Sequence, residues 1–153
     1  MSLGFLILLS GNVDVCASNG STLIDNKNNG FDLYPINRST PTRTFKVDAN
    51  RRFVKGCAFA EVGKAVVCGS DHRKVYIFGI DDEKPRQILR HGSADDMIQA
   101  VEVRDCTSRL KRICSRNTQA TSTQSNHFIV TSAYTGKCNI HVWKKVVAAP
   151  VSQ

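Results

Sequence analysis

The stretch "VVCGSDHRKVYIFGI", Val66 to Ile80, decides how the rest of the chain is read. Two short apolar runs flank the polar turn "SDHR". Val, Ile, Phe and Tyr suit a pleated, half-buried surface, while Gly, Ser and Asp suit the turn, so the segment predicts a β-hairpin. The question is whether that hairpin stands alone, holds an active site, or is one copy of a repeat.

Runs of similar character recur along the chain: "GFLILLS", "FDLYPI", "TRTFKV", "FVKGCAF", "MIQAVEV", "HFIVTSA" and "CNIHVWKK". They are separated by Gly, Asn, Asp, Ser and Pro, and sustained helical periodicity is missing. Many short strands and few helices predict an all-β sandwich, barrel or propeller.

Internal offsets choose among these. "FDLY" at Phe31 precedes "VYIF" at Val75 by 44 residues, and "CAF" at Cys57 precedes "VEV" at Val101 by the same 44. "IHVW" at Ile140 follows Val75 by 65, a surplus of 21 that matches the polar stretch from Asp105 to Asn126. "VCAS" at Val15 and "VCGS" at Val67 are 52 apart, which places a smaller insertion in "NGSTLIDNKNNG". A four-stranded unit of this length has the period of a propeller blade.

The first unit is therefore expected to hold strands at Phe5–Leu9, Val13–Ala17, Phe31–Ile36 and Thr42–Val47. The second holds Val54–Phe59, Lys64–Gly69, Lys74–Gly79 and Arg86–Arg90. The third holds Ile98–Val103, Phe128–Ser132 and Asn139–Trp143, with a frayed fourth strand in "VVAAP". The fold class expected is all-β, a partial β-propeller of about three four-stranded antiparallel blades. Its blades span 1–50, with a loop insertion at 19–30, then 51–96 and 97–145, before a tail at 146–153. The last blade is interrupted by a polar, basic insertion at 104–126.

At 153 residues, with 41% hydrophobic and 22% charged, the chain is long enough for one domain with a sizeable core. No apolar run approaches the length of a membrane helix. The net charge is +8, which speaks to partners and not to fold. In "VRDCTSRLKRICSR", Arg104, Arg109, Lys111, Arg112 and Arg116 stand against Asp105 alone, so about half of the excess lies in one segment. The six cysteines form no CxxC pair, and no His stands at zinc-finger spacing, so no structural metal is expected. Cys16, Cys57 and Cys68 lie in strand-like runs, as buried free thiols of a reducing compartment do. No Lys or Arg precedes the short apolar run Leu3–Leu9, which disfavours a signal peptide. The sequons at Asn19 and Asn37 would matter only in a secreted chain; an intracellular protein, cytoplasmic or nuclear, is expected.

On these residues the chain resembles the WD40-repeat family. The likeness rests on "FVKGCAFAEVGKAVVCGSDHRKVYIFGIDDEKPRQILRHGSADDMIQAVEV" and "HFIVTSAYTGKCNIHVWKK". Gly69, Ser70 and Asp71 match the family's small-small-Asp turn, and Tyr34, Phe78 and Trp143 hold the aromatic position that ends the third strand. His91 and Gly92 resemble the turn before an inner strand, in reversed order. No repeat ends in Trp-Asp, and Arg73 stands where the family commonly has Gly, a strained site for a positive φ. The resemblance covers residues 1–103 and 127–145. It implies a non-catalytic scaffold for other proteins, with a turn Asp and a nearby His stapling a blade.

Ser70, Asp71 and His72 invite a hydrolytic reading, but triad members meet from separated segments, so a structural turn is expected, and likewise for His91. Asp81, Asp82 and Glu83, and Asp95 with Asp96, fall in turn-like company and read as solvated. Tyr34, Phe78 and Trp143 are expected to pack. No Gly-rich phosphate loop, nucleophile elbow or HExxH is present, so neither an enzyme nor a cofactor is expected. The basic residues Arg109, Lys111, Arg112 and Arg116 suit a solvated loop, or a contact with phosphates or an acidic partner. The rival function is thus a basic β-domain that binds nucleic acid through that insertion. Three blades do not close a ring, so open faces imply a larger propeller or self-association.

Overall fold

The computed structural model describes residues 11–92, 97–106, 126–134 and 138–146. Alternating and continuous apolar runs in these residues form three antiparallel sheets. The first contains β1 (Val13–Cys16), β2 (Ser21–Asp25), β3 (Gly30–Pro35) and β4 (Arg43–Lys46) in that order. The second contains β5 (Cys57–Ala60), β6 (Ala65–Gly69), β7 (Lys74–Gly79) and β8 (Gln87–Arg90). The third is β9 (Met97–Cys106), β10 (Asn126–Tyr134) and β11 (Cys138–Val146). Within each sheet, strands adjacent in sequence pair with one another, through short turns everywhere except between β9 and β10, whose ends are 20 residues apart. No sheet closes on itself, and the described residues include no α-helix.

The first two sheets repeat in register. Val13 and Cys57, Ser21 and Ala65, Gly30 and Lys74, and Arg43 and Gln87 begin corresponding strands, and every pair is 44 residues apart. This corrects the expected layout of the first unit. Val13–Cys16 is the first strand of its sheet, not the second, and "STLID" inside 19–30 is a strand where an insertion was expected. That segment hides because Ser21, Thr22 and Asp25 surround only two apolar residues, Leu23 and Ile24, both buried. The likeness of "VCAS" to "VCGS" pairs a first strand with a second one. The expected strand at Phe5–Leu9 lies outside the described residues.

Smaller corrections fall at the other boundaries. β5 begins at Cys57, so Val54–Gly56 belongs to the connection before it. β9 runs to Cys106, which takes Arg104 out of the expected insertion. Residues 107–125 of that insertion lie outside the described residues, as do residues 147–150 of the expected fourth strand "VVAAP", whose first residue, Val146, instead ends β11.

The middle sheet is covered on both faces, and its central strand is buried at all five positions of "AVVCG". A strand buried on both sides reads as a continuous apolar run, which is why this part of the sequence was the most legible. On one face, Leu23, Phe31, Leu33, Phe45 and Val47 of the first sheet and its edge pack against Cys57, Val66, Cys68, Tyr76 and Phe78. On the other, Ala60, Ala65, Val67 and Val75 meet Ile98, Ile129 and Ala133 of the third sheet.

The first strands of the three sheets stand side by side, β1 against β5 and β5 against β9. Two glycines let the second and third sheets approach. A Cβ at Gly56 would lie 2.7 Å from Val101 N and 2.8 Å from the carbonyl carbon of Ala100, and one at Gly69 would lie 2.6 Å from Ile98 O. The backbone there is bonded directly, from Gly56 N to Ile98 O at 3.0 Å and from Ile98 N to Ser70 O at 2.8 Å. Gly56→Ala is therefore expected to destabilise the chain by about 1–3 kcal/mol, the range for overpacking. Urea unfolding followed by circular dichroism checks this; an unchanged midpoint would show that the connection entering β5 does not touch β9 there.

Candidate functional site

The end of the sheets that carries the β2–β3 and β6–β7 turns also carries the β4–β5 connection, because antiparallel strands return to it alternately. The two turns are built alike. Asn26 Oδ1 accepts from the N–H groups of Asn28, at 3.0 Å, and Gly30, at 3.1 Å. Ser70 Oγ, 44 residues later, accepts from His72 N at 3.2 Å and Lys74 N at 3.1 Å. A short polar side chain at this position folds the turn in both repeats. Ser70 also donates to Lys74 O at 2.8 Å, so its hydroxyl is committed to the turn and not to an imidazole.

Asp71 and His72 act on the connection beside them. Asp71 is 6% exposed, and its Oδ2 accepts from Asn50 N at 2.8 Å and Arg51 N at 2.7 Å. Its Oδ1 faces His72 Nδ1 at 2.5 Å. His72 Nε2 lies 2.8 Å from the side-chain amide of Asn50. With that amide as donor, Nε2 accepts and Nδ1 carries the ring proton, but Nδ1 and Asp71 Oδ1 meet as a close charge contact without hydrogen-bond geometry. Arg73 takes φ 51°, the left-handed conformation that favours glycine and is strained for a larger residue.

His91 does not join the other three by its side chain. Its N–H donates to Arg73 O at 2.7 Å, while its buried ring turns to the third sheet, with Nε2 3.3 Å from Thr131 O. The His141 ring stands 4.1 Å from it and 5.5 Å from Trp143, whose indole N–H donates to Thr131 Oγ1 at 3.3 Å. Phe78 is fully buried, Trp143 is half-buried against His141, and Tyr34 is half-buried on the outer face of the first sheet. Burial first, and the Asp32 charge second, push the Tyr34 hydroxyl above its usual pKa. Arg109, Lys111, Arg112 and Arg116 lie outside the described residues. The described strand ends on either side of them, Cys106 of β9 and Asn126 of β10, pair at the end of the third sheet opposite the Asp71 turn.

The polar centre that residue-by-residue reading missed is a buried ion pair. Lys55 Nζ lies 2.9 Å from Asp25 Oδ1, with both side chains wholly out of solvent. Asp25 Oδ1 also accepts from Lys27 N at 2.9 Å, and Oδ2 from Lys55 N at 2.8 Å. The pair ties the end of β2 to the connection entering β5, so it joins the first sheet to the second. Asp25 stands 44 residues before Gly69, so the repeat itself gave no signal of it. Asn12 adds a further link: its amide donates to Lys55 O at 3.1 Å and to Gln99 O at 3.0 Å.

A cleft of about 420 Å³ lies between β1, β5 and β9, lined by Asn12, Asp14, Gln99, Glu102 and the strand backbones. Asp14 spends one oxygen on Phe59 N at 2.7 Å, and Glu102 pairs with Arg104 at 2.9 Å. Among the described residues no group of three or more His, Cys, Asp and Glu could hold a metal ion, and no helix is long and apolar enough to cross a membrane. What the arrangement provides is a set of polar ties between sheets beside an open cleft.

The cysteines at the core are kept as thiols. Cys57 and Cys68 face each other across β5 and β6. Burial first, and then the charges of Asp14 and Asp25, push the Cys57 thiol far up; burial likewise dominates at Cys68. The thiolate is the reactive form, so neither residue is expected to react with iodoacetamide in the folded chain, and both should react after denaturation. Peptide mass mapping reads this, and native labelling at the rate of a free thiol would contradict the burial. Because the folded-state pKa values lie above the unfolded ones, this contribution to stability is complete at low pH and falls away as pH rises past the ordinary thiol value.

No protein-family model matches the chain, and no curated protein is significantly similar to it in sequence.

Proposed function

We propose that the chain forms three successive blades of a WD40-like β-propeller and serves as a non-catalytic platform on which other proteins assemble. The observation that carries this reading is the 44-residue recurrence of all four strand starts, together with the gathering of β1, β5 and β9 around one cleft. Meanders stacked through their faces, with first strands innermost, are what a propeller needs.

The outer faces of the array support the platform being part of something larger. Val13 and Val15 are 40% and 57% exposed on the first sheet, and Ile140 and Val142 are each 65% exposed on the third. Corresponding positions in the interior are covered by a neighbouring sheet: Phe59 and Phe78 stand where Val15 and Tyr34 do, one repeat on. Further blades, or a second copy of the chain, would cover those faces. An intracellular setting accords with the buried free thiols of Cys16, Cys57 and Cys68.

Affinity capture with the full chain, with and without nuclease and across a salt series, tests the function. Proteins that stay bound after nuclease support the platform. Recovery of nucleic acid alone, with a steep loss of binding as salt rises, would replace it with binding to phosphates.

A further inference from the structure

The connection Asn50–Lys55 combines a fixed backbone with unspent side chains. Asp71 accepts the N–H groups of Asn50 and Arg51 at 2.8 and 2.7 Å, and Asp25 accepts that of Lys55 at 2.8 Å. Lys55 Nζ reaches back to Phe53 O at 3.2 Å. Both carboxylates are buried, so the loop is pinned to the interior at its two ends. Between the pins, Arg51, Arg52, Phe53 and Val54 are all exposed, Phe53 by 47% and Val54 by 39%.

Scattered exposed apolar residues are ordinary. Here a phenylalanine and a valine follow directly on two arginines, and none of the four serves the core. Among the described residues neither guanidinium has an ion-pair partner. The carboxylates nearby are already committed: Asp25 to Lys55, Asp71 to the backbone and His72, and Asp48 to Lys74 at 3.0 Å and the Tyr76 hydroxyl at 2.9 Å. The turn beside the loop adds Arg73 and a partly exposed His72, which is bonded to Asn50.

We propose that Arg51–Val54 is a docking loop for an acidic segment of a partner protein, one that carries an aliphatic or aromatic side chain next to its carboxylates. This rests on the platform reading above and names the chemistry of one of its partners. Arg51 and Arg52 would each hold a carboxylate, and a planar guanidinium can do so with two parallel hydrogen bonds. Phe53 and Val54 would take the apolar neighbour, in the manner of an anchor beside a charged rim. The fixed backbone reduces the ordering entropy lost on binding. A peptide meets both halves of the loop. A nucleic acid strand would use the arginines and the Phe53 ring, but Val54 offers a base no stacking face.

A random-peptide display library selected on the full chain tests this. Selected peptides are expected to place Asp or Glu beside Leu, Ile, Phe or Trp. Their affinity should fall by about tenfold or more, equivalent to about 1.4 kcal/mol, in Arg51→Ala/Arg52→Ala and again in Phe53→Ser. Because the four side chains are exposed, both variants should keep the wild-type circular dichroism spectrum and melting temperature. Selection on Arg51→Glu/Arg52→Glu should instead return basic peptides, so the claim does not depend on loss of binding alone. Peptides that bind wild type and variants equally would overturn the docking loop while leaving the platform intact. So would a library that yields no binder from a chain that still captures proteins from lysate. Loop-dependent binding of single-stranded RNA, or of vesicles containing phosphatidylserine, in place of peptides would overturn it as well.

Discussion

Lys55→Ala is expected to destabilise the chain by about 3–5 kcal/mol, the range for breaking a buried ion pair from one side. The ammonium lies 2.9 Å from Asp25 Oδ1, with neither side chain exposed. It also stands 5.7 Å from the centre of the Phe31 ring. Removing it leaves a carboxylate in the interior with only the N–H groups of Lys27 and Lys55 to compensate its charge. Lys55→Met separates charge from volume, since methionine fills much of the space and still strands Asp25. If charge dominates, Met should recover little of the loss; if packing dominates, it should recover most. Urea unfolding gives both values, and a loss below about 1 kcal/mol, the scale of a surface pair, would mean that water reaches the site.

Phe78→Ala comes next, at about 3–5 kcal/mol for a large aromatic removed from a packed core. The ring is wholly buried, 5.2 Å from the Phe45 ring of the first sheet and 6.2 Å from that of Tyr76. Tyr34 holds the same place one repeat earlier, on a face that no described sheet covers. Tyr34→Ala should therefore destabilise the isolated chain much less. The difference between the two variants reads the stacking of the sheets and not the strength of a single strand. Equal losses would mean that the outer face of the first sheet is covered in the isolated chain.

The β-rich architecture and the 44-residue spacing were legible in the sequence because the middle sheet is buried on both faces. Its strands are apolar enough to be found without help. Outer strands carry weaker signals: β2 shows Leu23 and Ile24 among polar residues and reads, from sequence alone, as part of a loop. Strand likeness alone then paired Val13–Cys16 with β6, when its counterpart is β5. The turn made by Ser70, Asp71 and His72 could be located from sequence, but its target could not. Asp71 reaches Asn50 and Arg51, 21 and 20 residues away, and hydrogen bonds to backbone amides leave no mark on residue type. The Asp25–Lys55 pair was hidden for a related reason. Each member falls in a polar stretch where solvent exposure is the ordinary expectation, and burial comes only from the sheets above them.

The account turns on three sheets stacked in a row with their first strands adjacent, and nuclear Overhauser contacts in the labelled full chain measure that directly. Cross-peaks are expected between the rings of Phe45 and Phe78, joining the first sheet to the second. A second set is expected between the α-protons of Gly69 and the side chain of Ile98, joining the second to the third. Contacts within each sheet, such as Phe31 to Phe45, accompanied by neither of these would contradict the stacking.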